Sequence, residues 1–244
     1  MVRQLPRTMA LIAIISDVHA DVHALRQALG HIERLGCSRI VCAGDLVDYG
    51  LFPGETLALM MERRIPCVRG NHDRWALGHD QLAPPIGGSD GTAHDATGWD
   101  LTGRALNYLE ALPRTLRIVE DEVRILVCHG SPKSDMDGIY ESEPSSSTIA
   151  GWLDDAQADV LVVGHTHQPG VRRVGRRRLV LNPGTLLREP IPGIEGPWIL
   201  DKDSGKFVQQ ERIVGTFGVL DTKKLDFVVR RVADGEPVEL PRSR

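Results

Sequence analysis

Short apolar runs alternate with longer amphipathic stretches over the first seventy residues. Leu11 to Ile15 is continuously apolar and reads as a buried strand. Leu25, Ala28, Leu29, Ile32 and Leu35 follow at helical spacing, and Gly36 supplies a stop. Ile40 to Ala43 predicts a second strand, the segment near Glu55 to Arg63 a second helix, and Pro66 to Arg69 a third short strand. This βαβαβ order favours parallel pairing with right-handed crossovers. Open α/β sheets place their sites in loops at the carboxyl ends of such strands.

Beyond residue 73 the pattern breaks. Residues 74–100 carry Pro84-Pro85 and Gly87-Gly88 with little periodicity, and read equally as a substrate-side flap or a plain surface loop. A helix is expected over Asp100 to Leu112, with Leu101, Ala105, Tyr108, Leu109 and Leu112 on one face. Thr115 to Val119 and Val123 to Cys128 flank Glu120-Asp121 in a hairpin pattern. Ser145 to Ser147 offers a cap for a helix bearing Ile149, Trp152 and Leu153. Val160 to Val163 is a further strand. Shorter candidates follow at Val171 to Val174, Arg178 to Leu181, Trp198 to Asp201, Lys206 to Ile213 and Leu225 to Val232. Two packed sheets with helices outside accommodate both halves, as a single domain over residues 1–244.

Composition narrows the function classes. A net charge of -4 gives no general nucleic-acid-binding surface, although bound metals can still create a local positive site. Arg172, Arg173, Arg176, Arg177 and Arg178 cluster around Gly175 and read as a solvated hairpin tip before a nucleic-acid patch. The apolar run after Arg3 and Arg7 leads into Asp17 rather than a cleavage site, and no stretch approaches membrane-spanning length. A cytoplasmic location without a membrane partner is therefore expected. Cys37, Cys42, Cys67 and Cys128 form no CxxC pair and read as core thiols.

Five polar segments interrupt or end these elements: Ser16-Asp17-Val18-His19, Gly44-Asp45-Leu46-Val47-Asp48, Gly70-Asn71-His72-Asp73, His129-Gly130 and Gly164-His165-Thr166-His167. They offer seven oxygen and imidazole ligands, Asp17, His19, Asp45, Asn71, His129, His165 and His167. That is too many for one tetrahedral site and suits two divalent ions sharing a carboxylate. Magnesium alone seldom recruits so many imidazoles, so manganese, iron, zinc or cobalt are preferred. Two aspartates offset only part of the four positive charges, so such a centre attracts phosphate. It also brings bound water towards neutral pKa, so that a metal-bound hydroxide is the attacking nucleophile. Taken singly, Asp17 and Asp45 could be helix caps, Asn71 a turn residue and the histidines ordinary hydrogen-bonding groups. Their joint placement after apolar runs favours a site.

The motifs Asp-x-His, Gly-Asp-x-x-Asp, Gly-Asn-His-Asp, His-Gly and Gly-His-x-His, in this order over residues 16–185 with Asn182-Pro183-Gly184-Thr185, resemble the calcineurin-like metallophosphoesterase superfamily, in its small bacterial and archaeal phosphodiesterase type. The resemblance implies a four-layer αββα sandwich of two packed mixed sheets flanked by helices. It implies that Asp17, His19 and His167 bind one ion, that Asn71, His129 and His165 bind the other, and that Asp45 bridges. It places the general acid at His72, with Asp48 orienting it. Manganese is the first expectation among the metals, with iron, zinc, cobalt or nickel as alternatives. The expected function is hydrolysis of phosphodiester or phosphomonoester bonds of a small substrate. The alternatives are a non-catalytic scaffold on the same fold, or a nuclease, for which nothing in the charge balance argues. Arg69 and Arg74 flank the Gly-Asn-His-Asp segment as candidate phosphate contacts. His23, His31, His79 and His94 fit no motif, and exposed strand edges in the C-terminal third would allow a homo-oligomer.

Overall fold

In a computed structural model, residues 11–78, 101, 103–140, 143–189, 198–201, 206–209 and 213–240 are described. Most of the predicted flap, residues 79–100, lies outside them, as do His79 and His94.

Strand β1 (Leu11–Ile15) leads into helix α1 (Val22–Leu35). Asp21 caps α1 by accepting from the Ala24 amide at 2.9 Å, and Gly36 ends it in the left-handed conformation. Strand β2 (Arg39–Cys42) runs parallel to β1. Helix α2 (Pro53–Glu62) follows, opened by a proline that suits a helix's first turn. The third strand expected at Pro66 to Arg69 is reduced to one bridge between Cys42 and Cys67. Pro66 has no amide to give, and the Arg69 amide turns away to the Pro113 carbonyl. Asn71–Ala76, expected as loop, forms a short helix α3. Six residues are too few to show periodicity.

Helix α4 (Gly103–Ala111) precedes the hairpin of β3 (Thr115–Glu120) and β4 (Val123–Cys128). After it come α5 (Ser146–Ala156), β5 (Val160–Val162), β6 (Gly170–Val174), β7 (Arg178–Asn182), β8 (Trp198–Asp201) and β9 (Lys206–Gln209). The chain closes with β10 (Thr216–Asp221) and β11 (Asp226–Arg231). One mixed sheet has the order β11-β10-β1-β2 and the other β3-β4-β5-β7-β6, while β8 and β9 pair apart.

Strand β10, absent from the sequence reading, pairs antiparallel with β1 in the middle of the first sheet. Gly218 hid it by breaking the apolar run. The glycine is needed there, because a Cβ would come within 2.1 Å of the Phe227 ring across the ladder.

Period-two alternation sorts the side chains into layers. Ile12 and Ile14 of β1 face Ile125 and Val127 of β4 in a core between the sheets. Ala13 and Ile15 point the other way, to Leu25, Leu29 and Ile32 of α1 and to Leu57 and Met60 of α2. Leu126 and Cys128 point outward to Ile149 and Leu153 of α5. These three cores make the αββα sandwich. Cys42, Cys67 and Cys128 are buried free thiols and Cys37 is half-buried. No helix among the described residues is long and apolar enough to cross a membrane.

Candidate metal centre

All five polar segments meet at one end of the two sheets. Asp17 and His19 leave β1, Asp45 follows β2, His129 follows β4 and His165 and His167 follow β5. Backbone bonds zip these loops together. The amides of Asp17, His19 and Ala20 donate to the carbonyls of Gly44, Asp45 and Leu46 at 2.9, 3.0 and 2.8 Å. The Gly164 amide donates to the His129 carbonyl at 2.7 Å. Asp17, His19, Asp45, His165 and His167 all adopt positive φ, between 46° and 65°. Left-handed backbone at non-glycine residues costs energy, and the interlocked loops hold it in place.

The side chains sit in two halves that meet at Asp45. In one, His19 Nε2 lies 3.0 Å from His167 Nε2, which is 3.2 Å from Asp17 Oδ1. In the other, Asn71 Oδ1 lies 3.0 Å from both His129 Nε2 and His165 Nδ1. Asp45 Oδ2 is 3.1 Å from His129 Nε2 and 3.9 Å from His19 Nε2, so it faces both. His165 is half-buried and the other six are buried. The structure therefore brings together all seven candidates.

Charge inside this box is unbalanced in a way that a cation would relieve. His19 Nδ1 faces the Val47 carbonyl at 3.1 Å and His129 Nδ1 faces the Ala43 carbonyl at 2.8 Å. Both Nδ1 atoms must carry the hydrogen, which leaves each Nε2 as a lone pair. His19 Nε2 can accept from His167 Nε2 when that atom carries its hydrogen. The His129 Nε2 lone pair points at two acceptors, Asn71 Oδ1 and Asp45 Oδ2, an arrangement that positive charge between them relieves. In the protein alone a proton fills that role. Burial opposes charge on His129, but Asp45 and Asp17 outweigh it and raise the imidazole to about 10. Burial and the neighbouring His167 push His19 down to about 3. Burial works to raise Asp45, yet His129 and His72 hold it well below the usual carboxylate range. Mixed imidazole and carboxylate donors suit a divalent ion of intermediate softness, so the residues fit the metal that the sequence implies.

His72 stands beside the box. Its Nδ1 lies 2.6 Å from Asp48 Oδ2 and its Nε2 is 4.0 Å from Asp45 Oδ2. Burial disfavours its charge, but Asp45 and Asp48 prevail and raise its pKa.

Three supporting residues were given no role from sequence. Asp73 accepts the amides of Leu46, Gly70 and Asp45 at 2.8, 2.9 and 3.0 Å, tying the Asp45 and Asn71 loops together. Burial and the Asp45 charge push its carboxyl up to about 6 against those bonds. Asn182 Nδ2 donates to the Gly164 carbonyl and Thr166 Oγ1, both at 3.0 Å, and Thr185 Oγ1 donates to the Asp17 carbonyl at 2.8 Å. Asp73, Asn182 and Thr185 all stood inside the quoted motifs, which was their available signal. Of the flanking arginines, Arg74 is engaged by Asp135, with Nε to Oδ2 at 2.7 Å. Arg69 lines a small cleft with His129 and Ser131. His31 contacts the Val232 carbonyl, away from the centre.

A sequence profile of the calcineurin-like phosphoesterase superfamily domain matches residues 10–200. The chain belongs to that superfamily. Among its relatives, the uncharacterized protein MJ0912 of Methanocaldococcus jannaschii is 30% identical over 167 residues, 66% of this chain and 64% of that protein. The chain thus aligns with less than two thirds of that relative's length. A metallophosphoesterase from Sphaerobacter thermophilus superposes with a TM-score of 0.61 at 25% identity, covering 96% of this chain and 90% of that one. The hypothetical protein PH1004 from Pyrococcus horikoshii OT3 superposes at 0.67 with 17% identity, covering 91% and 88%. The second structure shows a common fold alone. Membership in the superfamily fits a hydrolase with divalent metals at the Asp and His groups described above.

Proposed function

We propose that this protein is a dinuclear metal-dependent phosphoesterase acting on a small phosphate ester. The observation that carries this reading is Asp45, whose single Oδ2 faces imidazole nitrogens of both halves of the box. Asp17, His19 and His167 would hold one ion, Asn71, His129 and His165 the other, with Asp45 shared. Bound ions polarise phosphoryl oxygens and make water nucleophilic near neutral pH. Manganese heads the candidates, with iron, zinc, cobalt or nickel as substitutes.

The chain's own groups do the rest. Asp48 Oδ2 accepts a hydrogen bond from His72 Nδ1 and fixes the ring, which leaves Nε2 to face the substrate. Against burial, Asp45 and Asp48 raise the His72 pKa, which favours the protonated ring as donor to the departing oxygen. The Asp48–His72 pair supports the catalytic reading over a scaffold. The basic cluster gives a nuclease little support, since Arg172 bonds the Pro144 carbonyl and Ser146 Oγ and Arg178 bonds Asp154.

Metal-free protein supplied in turn with manganese, iron, zinc, cobalt and nickel should hydrolyse bis-p-nitrophenyl phosphate or p-nitrophenyl phosphate. It should also bind about two ions per chain by elemental analysis. No turnover of either ester with any of these metals would overturn the proposal.

A further inference from the structure

A pocket of about 330 Å³ opens beside the centre, lined among others by His23, Tyr49, Leu51, Phe52, Leu187 and Arg188. Its inner wall includes Tyr49, which packs against the proposed catalytic machinery. The Tyr49 ring lies 4.7 Å from the His19 ring and 4.9 Å from the His72 ring. Its outer wall is apolar and open to solvent, with Tyr49 45% and Leu51 83% exposed. Isolated exposed leucines are ordinary, but Leu51 and Tyr49 together give this cavity an apolar mouth that solvent reaches.

The walls are held firmly. The Gly50 amide donates to the His19 carbonyl at 3.0 Å, and the Phe52 amide to the Ala20 carbonyl at 3.2 Å. Gly50 is pressed so closely onto this turn that a Cβ would meet the His19 carbonyl oxygen at 2.4 Å. His23 and Phe52 stack edge to face, with ring centroids 5.1 Å apart. On the far side Asp21 grips Arg188, with Nε to Oδ2 at 2.9 Å and Nη2 to Oδ1 at 3.1 Å, which fixes the guanidinium plane. Aromatic rings and a fixed guanidinium are the groups that accept a flat π system.

The geometry points to this pocket as the seat of the leaving group, and to a nucleoside as the class of group it takes. The assignment rests on the phosphoesterase reading. A leaving oxygen protonated by His72 Nε2 must sit against His72, where the Trp75 and Tyr49 rings lie 4.6 and 4.9 Å away. Of these two described neighbours Tyr49 lines the pocket. The flat base then lies among Tyr49, Phe52 and Arg188, while the scissile phosphate would stay with the metals that Asp45 shares. Water supplies the hydroxyl that stays with phosphorus, and the P–O bond to the nucleoside breaks as its oxygen takes the proton.

Adenosine 5′-monophosphate and ribose 5-phosphate share a leaving oxygen and differ by the base, so they isolate the pocket. With manganese-loaded protein, each is offered as the monoester and as its methyl diester, and release of adenosine or ribose is followed. The adenosine esters should show kcat/KM higher by about tenfold or more, the scale of one stacked base. Leu51→Asp, at an exposed position, should collapse that ratio towards unity. Binding of adenosine and of ribose, measured by calorimetry on metal-free protein, gives a second readout that needs no turnover. Preferential adenosine binding that Leu51→Asp weakens supports the pocket even if neither ester is cleaved, and that failure would count against the hydrolase reading alone. Equal binding of adenosine and ribose, or equal turnover of their esters, would overturn the nucleoside assignment and leave the hydrolase reading intact.

Discussion

His72 and Asp73 are chain neighbours with opposite duties. On the proposed reading His72 donates to the leaving group, so its loss should cost chemistry more than structure. His72→Ala should lower kcat by about 10²- to 10⁴-fold on an alkyl phosphate ester, and far less on a nitrophenyl ester whose leaving group needs little protonation. Equal losses on both would remove His72 from the role of acid. Asp73 faces away from the centre and gathers three amides from the loops that carry Asp45 and Asn71. Asp73→Ala strands those buried donors, so stability should fall by about 3 kcal/mol in urea unfolding. Metal affinity should fall with it by about 10- to 100-fold, since the ligand loops lose their register. Unchanged affinity in a folded Asp73→Ala protein would mean that the amide bonds do not set the ligand positions.

The elements that matter most to the centre are turns, and two glycines separate their duties from those of the strands. A Cβ on Gly70 would lie 2.0 Å from Asp45 Oδ1 and 2.6 Å from the Asp45 amide nitrogen. Gly70→Ala should therefore displace Asp45 and abolish high-affinity metal binding. Gly218 in β10 is equally crowded, but by the Phe227 ring and by no ligand, and its partner on β1 is Ile14. Gly218→Ala should cost about 1–3 kcal/mol through overpacking and leave metal affinity in the surviving folded protein near that of the parent. Titration with manganese under native conditions, beside a urea curve for each variant, distinguishes the two effects. The reverse pattern would refute this division between turn and strand.

Over the whole molecule, the ligands come from both sheets, so bound metal should act as a clasp between them. At a metal concentration 100-fold above the dissociation constant the folded state should gain about 2.7 kcal/mol, and a chelator should remove it. The pH dependence follows from His129, whose value in the metal-free protein is raised to about 10. A raised histidine adds its stability in full below about pH 6.5 and loses it as the pH climbs through the folded value. Metal must displace that proton, so metal affinity strengthens over the same rise. The unfolding midpoints of loaded and metal-free protein should therefore lie further apart at pH 9 than at pH 6. A gap that narrows would contradict the His129 assignment. Much of this was written locally in the chain. Apolar runs and helical spacing announced β1, α1, β4 and β5, because burial of one face leaves a period that neighbours in sequence reveal. The ligand types were equally plain, since Asp45 or His167 must bring its own donor atoms. Other features depended on partners remote in sequence. Gly218 became part of a central strand because Phe227 fills the space above it, and the Pro66 segment failed as a strand because the Arg69 amide found Pro113. Sequence alone thus determined which donor atoms and which amphipathic segments exist. Tertiary structure decided that Asp45 faces both groups of histidines, that Asp73 binds the loops, and that Tyr49 opens a pocket, because each depends on distances that no local pattern encodes.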